Sequence, residues 1–401
     1  MPRRFLIALT AVLGLAACSD ASNAPTAFDE AAAAMSAEAN ATRVTAAALW
    51  NQRTRAIISR RGGSANASTR AYALVSVAQY DAVIAAEQAK ARRLHPSEAG
   101  ASSAASAAVL LALYPAEQAY IAGELAADAA YFPTLPSERD ADFAAGAAVG
   151  RAVGAAVMAY AATDRTRVAW DGSTGSGGWT PLVMPPQDAS WGNARPWFMS
   201  SGAQFHPVDP PTIGSPEYLA DLAEVRAYSD NRTPEQLAIA RFWATGYGAG
   251  GPAGYFGALA ADWGTRQHLD ERRMSRVLAV LHMAIMDASI GCYEGKYAYW
   301  YIRPYQADPA ITVPSGVPVP NFPGYPSGHS CLSSAAAGVL SGFFPSEADA
   351  LHAMVVEAGM SRIYAGLHFR FDVTAGQQLG YAVAELALRL APNGHQPIPL
   401  E

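Results

Sequence analysis

Large apolar residues first fall into helical spacing at Val44. Leu49, Trp50, Ile57, Tyr72, Leu74, Val75, Val77, Tyr80 and Val83 recur through Gln88, broken only by Gly62-Gly63. Apolar positions every three to four residues mark the buried face of an amphipathic helix, so this stretch predicts two helices joined by the glycine turn. The same spacing predicts helices over 102–114, 116–130 and 137–162, dense in alanine and poor in β-branched residues, as close-packed helices allow. Further helices are predicted over 217–228, from a Thr233 cap to Trp243, and over 269–301, 327–344, 345–362 and 368–390. Residues 246–254 read as a hinge or turn between them. Period-two alternation is absent, which predicts an all-α domain over 44–401.

Two stretches break the helical pattern. Residues 171–216 hold 7 Gly and 8 Pro, so no regular element persists there, yet they also carry Trp179, Trp191 and Trp197. A solvated linker does not carry three tryptophans, so the loop is expected to be ordered, to pack over the bundle and to line a pocket entrance. At the start of the chain, Arg3 and Arg4 precede an apolar run over 5–17, too short to span a bilayer, which reads as a signal peptide. It ends in Leu15-Ala16-Ala17-Cys18, which resembles the bacterial lipobox; this implies lipidation of Cys18 after removal of residues 1–17. Ser19 suits an outer-membrane destination facing the periplasm. Residues 18–43, rich in Ala, Ser, Asn and Thr, would be the tether, and no second apolar run is expected to span a membrane.

Composition narrows the function. Half the residues, 51%, are apolar and 15% are charged, enough for a large core. The formal charge is −6, and removal of Arg3 and Arg4 with the leader makes it more negative still. Nucleic acid is therefore excluded as a partner, and the membrane is expected to be engaged through the lipid anchor only. Three cysteines make no disulfide scaffold or zinc pattern; Cys292 and Cys331 could pair or remain two buried thiols.

Candidate chemistry gathers in the last third of the chain. Lys296 and Arg303 are seven residues apart, about 700° on a helix, which places both cations within about 20° of one face. The same spacing also describes a solvated stripe. Pro326-Ser327-Gly328-His329 opens a helix, where unpaired N–H groups and the helix dipole form an anion cradle. Ser327 adds a hydroxyl, Gly328 admits a ligand to the backbone, and His329 is placed to move protons; a plain N-cap serine is the alternative. In the third segment Gly366 breaks the helices, letting Arg362 turn inward. His368 and Asp372, four residues apart, are spaced for the carboxylate to hold one imidazole nitrogen and leave the other as a nucleophile, or to form a structural pair.

Taken in order, Lys296, six residues, Arg303-Pro304; Pro326-Ser327-Gly328-His329; and Ser361-Arg362, five residues, His368, three residues, Asp372 resemble a three-part signature. It is that of the superfamily joining type 2 phosphatidic acid phosphatases (PAP2), bacterial acid phosphatases and vanadium-dependent haloperoxidases. The resemblance implies an all-α helical bundle of the haloperoxidase and acid phosphatase type. It also implies that Lys296, Arg303, Ser327, Gly328 and Arg362 hold a tetrahedral oxyanion, with His329 as proton donor. His368 would be the axial vanadium ligand in a haloperoxidase, or the phosphorylated nucleophile in a phosphatase.

Upstream segments are similar to bacterial haloperoxidase-like proteins: residues 70–83 with Tyr80-Asp81, Trp191-Gly192 with Arg195-Pro196-Trp197-Phe198, and Ile239 to Ala244 with Phe242-Trp243. The expectation is therefore a vanadate-dependent haloperoxidase that uses hydrogen peroxide to oxidise a halide, with an organic substrate downstream. Phosphate can occupy the same site, and a periplasmic phosphomonoesterase is the alternative. Phe322 stands where chloride-oxidising members of the family carry Phe, which makes it the halide-pocket candidate. Many relatives follow the Phe-Trp-Ala stretch with an acidic residue that supports a site arginine. Here the residues are Thr245-Gly246, and Asp287 or Asp262 is the expected replacement for that acid in supporting Arg362. His95, His206, His268, His282, His352 and His395 fit no ligand spacing.

Overall fold

A buried helix of 29 residues, Glu271–Tyr299, is the axis on which the other described helices are arranged in the computed structural model. The structure describes residues 44–398 apart from 91–94, 247 and 249. The leader, Cys18 and the tether lie outside the described residues.

Thirteen α-helices occur among the described residues and no strand, only two isolated bridges. In chain order they are α1 Ala46–Arg61, α2 Ala65–Lys90, α3 Glu98–Leu113, α4 Gln118–Tyr131, α5 Phe143–Ala161, α6 Pro216–Asp230 and α7 Pro234–Arg241. After a π turn at Phe242–Gly246 come α8 Gly251–Arg266, α9 Glu271–Tyr299, α10 Pro304–Ala307, α11 Gly328–Phe343, α12 Ala348–Tyr364 and α13 Arg370–Leu390. The all-α expectation holds.

Helix α9 packs on α1, α2, α8, α11 and α13. Its composition explains this: residues from Val277 to Cys292 are buried on every face, the pattern of a helix surrounded by others. By length and composition both α5 and α9 could cross a bilayer, contrary to the expectation that no further apolar run would; 94% of the relevant window of α9 is buried in the protein.

Helices α11 and α13 cross so closely that a Cβ on Gly376 would stand 2.6 Å from the Ser327 carbonyl oxygen, and one on Gly380 2.3 Å from that of Cys331. Only glycine permits that approach.

Helix α8 corrects the sequence reading, which ended its turn at 254 and placed no helix before 269. Its four glycines and Pro252 resemble loop composition. Two of those glycines serve packing instead: a Cβ on Gly257 would meet the His282 ring at 2.8 Å, and one on Gly264 the Met274 side chain at 2.5 Å.

The Gly/Pro/Trp segment is ordered over the bundle, as expected. Asp287 of α9 accepts the N–H groups of Trp197, Phe198 and Met199 at 2.7, 2.8 and 2.9 Å. The Trp191 indole donates to Ser289, and the hydroxyls of Tyr299, Tyr325 and Tyr301 donate to the carbonyls of Pro207, Val208 and Pro211. A cleft of about 150 Å³ between Trp170, Pro185, Pro186 and Trp191 is lined by none of the predicted oxyanion residues.

Candidate active site

The ends of six helices, α7, α9, α10, α11, α12 and α13, contribute residues to one site near the C-terminal end of α9. Lys296 lies in its last turn, fully buried, and its ammonium donates to the carbonyls of Pro323 (3.1 Å), Gly324 (2.8 Å) and Pro326. Burial lowers the Lys296 pKa to about 8, so it remains mostly cationic at neutral pH.

Arg303 does not share a helix with Lys296, which corrects the facing argument made from the sequence. Helix α9 ends at Tyr299, because Trp300 turns left-handed (φ 50°, ψ 40°) and is held there by mutual hydrogen bonds with Trp179. Arg303 then sits just ahead of the four-residue α10, and the chain reversal brings it to the same site. Its guanidinium reaches the Phe322 carbonyl through Nε (3.1 Å) and Nη2 (3.0 Å), and the Leu367 carbonyl through Nη1 (2.8 Å). The Phe322 ring lies 5.3 Å from both Lys296 Nζ and Arg303 Cζ, within cation–π range.

Ser327 precedes α11 and is fully buried, but its hydroxyl does not cap the helix and has no hydrogen-bond partner among the described residues. A buried hydroxyl without a partner costs stability unless something else fills the role, so Ser327 Oγ fits a ligand contact. The N–H groups of Gly328, His329 and Ser330 start the helix and have no intrahelical acceptor. Cys331 N–H is the first to find one, at Ser327 O.

Arg362 ends α12 almost fully buried, with Nε on Ser361 Oγ at 2.9 Å and Nη2 on the Ala240 carbonyl at 2.7 Å. Neither expected acid supports it. Asp287 is occupied with the loop amides and Asp262 pairs with Arg266, so the contact at Nη2 is a backbone oxygen at the end of α7.

His368 follows the left-handed Gly366 (φ 72°) and lies ahead of α13, not on it, so the helical-spacing argument for the His–Asp pair does not apply. The pair forms regardless. His368 Nδ1 is 2.8 Å from Asp372 Oδ2, which also accepts the Phe369 N–H at 3.1 Å. His368 Nε2 faces Arg303 Nη1 at 3.4 Å. Burial first, then the charges of Arg303 and Lys296, keep His368 neutral by lowering its pKa far below the usual range. With Nδ1–H donated to Asp372, the lone pair resides on Nε2.

His329 Nε2 lies 2.6 Å from the Trp243 carbonyl, and burial and Arg362 lower its pKa as well. Phe322, Gly328 and His329 are partly exposed, while Lys296, Arg303, Ser327, Arg362, His368 and Asp372 are buried, so access runs along the 322–329 side. Cys292 and Cys331 are free, buried thiols, which decides between the two states the sequence left open. The predicted oxyanion, proton-transfer and halide-pocket residues thus gather here, while Cys18 lies outside the described residues. The contributions of Ala240 and Trp243 were not foreseen, because they come from backbone carbonyls.

Three buried cations and one carboxylate surround a neutral imidazole in a helical bundle. Residues 277–395 match the PAP2 superfamily, the stretch that carries every signature residue. The chain is similar in structure to a bacterial vanadium-dependent iodoperoxidase, with TM-score 0.71 and 22% identity, over 86% of this chain and 96% of that one. It is also similar to a bacterial vanadium-dependent chloroperoxidase, in its holo form (TM-score 0.62, 13% identity, 81% of this chain, 92% of that one) and its apo form (0.60, 13%, 80%, 92%). At these identities the likeness is one of fold. No curated protein matches the chain.

Proposed function

We propose that the protein is a vanadium-dependent haloperoxidase that uses hydrogen peroxide to oxidise a halide to hypohalous acid. The observation that carries this reading is the unprotonated Nε2 of His368 enclosed by Lys296, Arg303 and Arg362, on a fold shared with vanadium peroxidases over most of both chains. The residues fit vanadate. The buried charge is cationic in excess, and Ser327 Oγ has no partner among the described residues.

Lys296, Arg303, Arg362, Ser327 and the Gly328 amide would hold the oxygens, and His368 Nε2 would be the metal ligand. When bound, vanadate supplies a Lewis acid that activates peroxide without changing its own oxidation state. The rest of the chemistry falls to the chain. Asp372 fixes the tautomer and direction of His368, the cations disperse oxyanion charge, and His329, on the accessible side, moves protons at the reacting oxygen. Phe322 shields Lys296 and Arg303 where the halide would approach. The reading includes anchorage to the outer membrane through Cys18, tested by metabolic labelling with a fatty acid and its loss in Cys18→Ser.

The superfamily match also accommodates a phosphomonoesterase with His368 as nucleophile. A paired assay on one preparation separates the two. One aliquot receives orthovanadate, peroxide and halide; the other receives a chromogenic phosphomonoester, with vanadate as inhibitor. Vanadate-dependent halogenation supports the haloperoxidase. Phosphoester hydrolysis blocked by vanadate, with no halide oxidation, replaces it with the phosphatase.

A further inference from the structure

The end of helix α7 touches the site twice. Arg362 Nη2 binds the Ala240 carbonyl at 2.7 Å, and His329 Nε2 lies 2.6 Å from the Trp243 carbonyl. Between these two carbonyls the α-helical register of Pro234–Arg241 widens into the π turn Phe242–Gly246. A helix C-terminus presents carbonyls without intrahelical donors and carries partial negative charge, and a π turn redirects them. A guanidinium and an N–H donor both meet that negative end.

Trp243 is itself anchored. Its side chain is fully buried against Phe242 and Tyr255, and its indole N–H donates to Glu357 Oε1 at 2.8 Å. Glu357 belongs to α12, the helix that carries Arg362 in its last turn. The contacts therefore form a circuit: from α12 through Glu357 and Trp243 to His329, and from α12 through Arg362 to Ala240. Thr245-Gly246 occupies the place where the resemblance led one to expect an acid, and the Ala240 carbonyl at the end of α7 accepts from Arg362 there.

A carbonyl oxygen only accepts, so the contact at 2.6 Å puts hydrogen on His329 Nε2. In a neutral imidazole Nδ1 then carries the lone pair. Resting on the reading of the site given above, we infer that Glu357 is a positioning residue. Through Trp243 it fixes His329 as the Nε2–H tautomer, so that Nδ1 is the atom exchanging protons at the bound oxyanion.

The test uses the full chain labelled with 15N-histidine. Long-range 1H–15N spectra report each tautomer, and the His329 signals are identified by their loss in His329→Gln. Wild type is expected to show the Nε2–H pattern for His329. Glu357→Gln retains an oxygen acceptor for the indole and preserves that pattern. Glu357→Ala gives mixed tautomers, lowers kcat for peroxide-driven halide oxidation by about 10- to 100-fold with KM little changed, and leaves inorganic phosphate affinity within about twofold. An Nδ1–H pattern in wild type, or His329 signals unchanged in Glu357→Ala, overturns the inference. If the wild-type chain oxidises no halide while the tautomer still depends on Glu357, the activity reading fails and the positioning circuit stands.

Discussion

The backbone N–H of Ser327 donates to the carbonyl of Asp372 at 2.9 Å, so the residue that opens the anion cradle hangs from the residue that orients His368. Cradle and imidazole are thereby held in one frame. A Cβ at Gly376 would press on the Ser327 carbonyl at 2.6 Å and on Ser330 Cβ at 2.9 Å. Gly376→Ala should therefore cost about 1–3 kcal/mol and weaken phosphate binding markedly. Gly342→Ala, on the same helix pair but meeting only the flexible Leu388 side chain, should spare binding. Chemical denaturation and phosphate calorimetry on the two variants check this.

On the proposed reading, His368→Ala should abolish turnover, since it removes the nitrogen that would meet the central atom. Asp372→Asn replaces the acceptor on His368 Nδ1 with a group that can flip, so turnover should fall about 10- to 100-fold while the fold persists. Steady-state kinetics with saturating vanadate, alongside circular dichroism, separate the two effects. Unaltered turnover in His368→Ala would remove both enzymatic readings.

Phe322→His places a titratable ring beside Lys296 and Arg303 on the accessible side of the site. The ratio of kcat/KM for bromide over chloride should change by about tenfold, with little loss of stability. A change in overall rate with the ratio preserved would count against Phe322 as the halide-facing residue.

Asp287→Ala would leave three backbone N–H groups of 197–199 without their acceptor. The expected cost is about 3 kcal/mol or more, with new protease cleavage inside 171–216. Limited proteolysis followed by mass spectrometry reads this out.

Asp81 is buried beside the C-terminal strap, where its Oδ2 accepts the Ile398 N–H at 3.2 Å and burial raises its pKa to about 8. Its folded pKa lies above the unfolded one, so its contribution to stability is fully present below about pH 4 and is lost as pH rises through about 8. Glu271, raised to about 8, and Asp287, raised to about 7, act in the same direction. Melting temperature should thus fall between pH 5 and pH 8 by a few degrees, and Asp81→Asn, which keeps an oxygen acceptor, should flatten the decline. Thermal melts across that interval decide it.

The sequence showed the site's membership better than its geometry. Lys296, Arg303, Ser327, His329, Arg362, His368 and Asp372 all converge in the structure, as their order along the chain implied. The reasons offered for two of the convergences were wrong. Helix α9 stops short of Arg303 because Trp179, some 120 residues upstream, holds Trp300, and no local pattern records so distant a contact. Helix α8 was missed because glycines selected for close approach to His282 and Met274 resemble turn residues in a linear string. The sequence leads one to expect an acid at Arg362, whereas the Ala240 carbonyl that its Nη2 binds belongs to no side chain at all.

The glycine contacts between α11 and α13 have a consequence for mutational drift. Because backbone rests on side-chain-free backbone at Gly376 and Gly380, the approach of α13 to the start of α11 is set by main-chain thickness, a ruler that substitutions elsewhere in the core do not lengthen. Surrounding apolar positions should accept one hydrocarbon for another, while these two should not. In a saturation library scored for oxyanion binding, Gly376 and Gly380 should tolerate as little change as His368 itself.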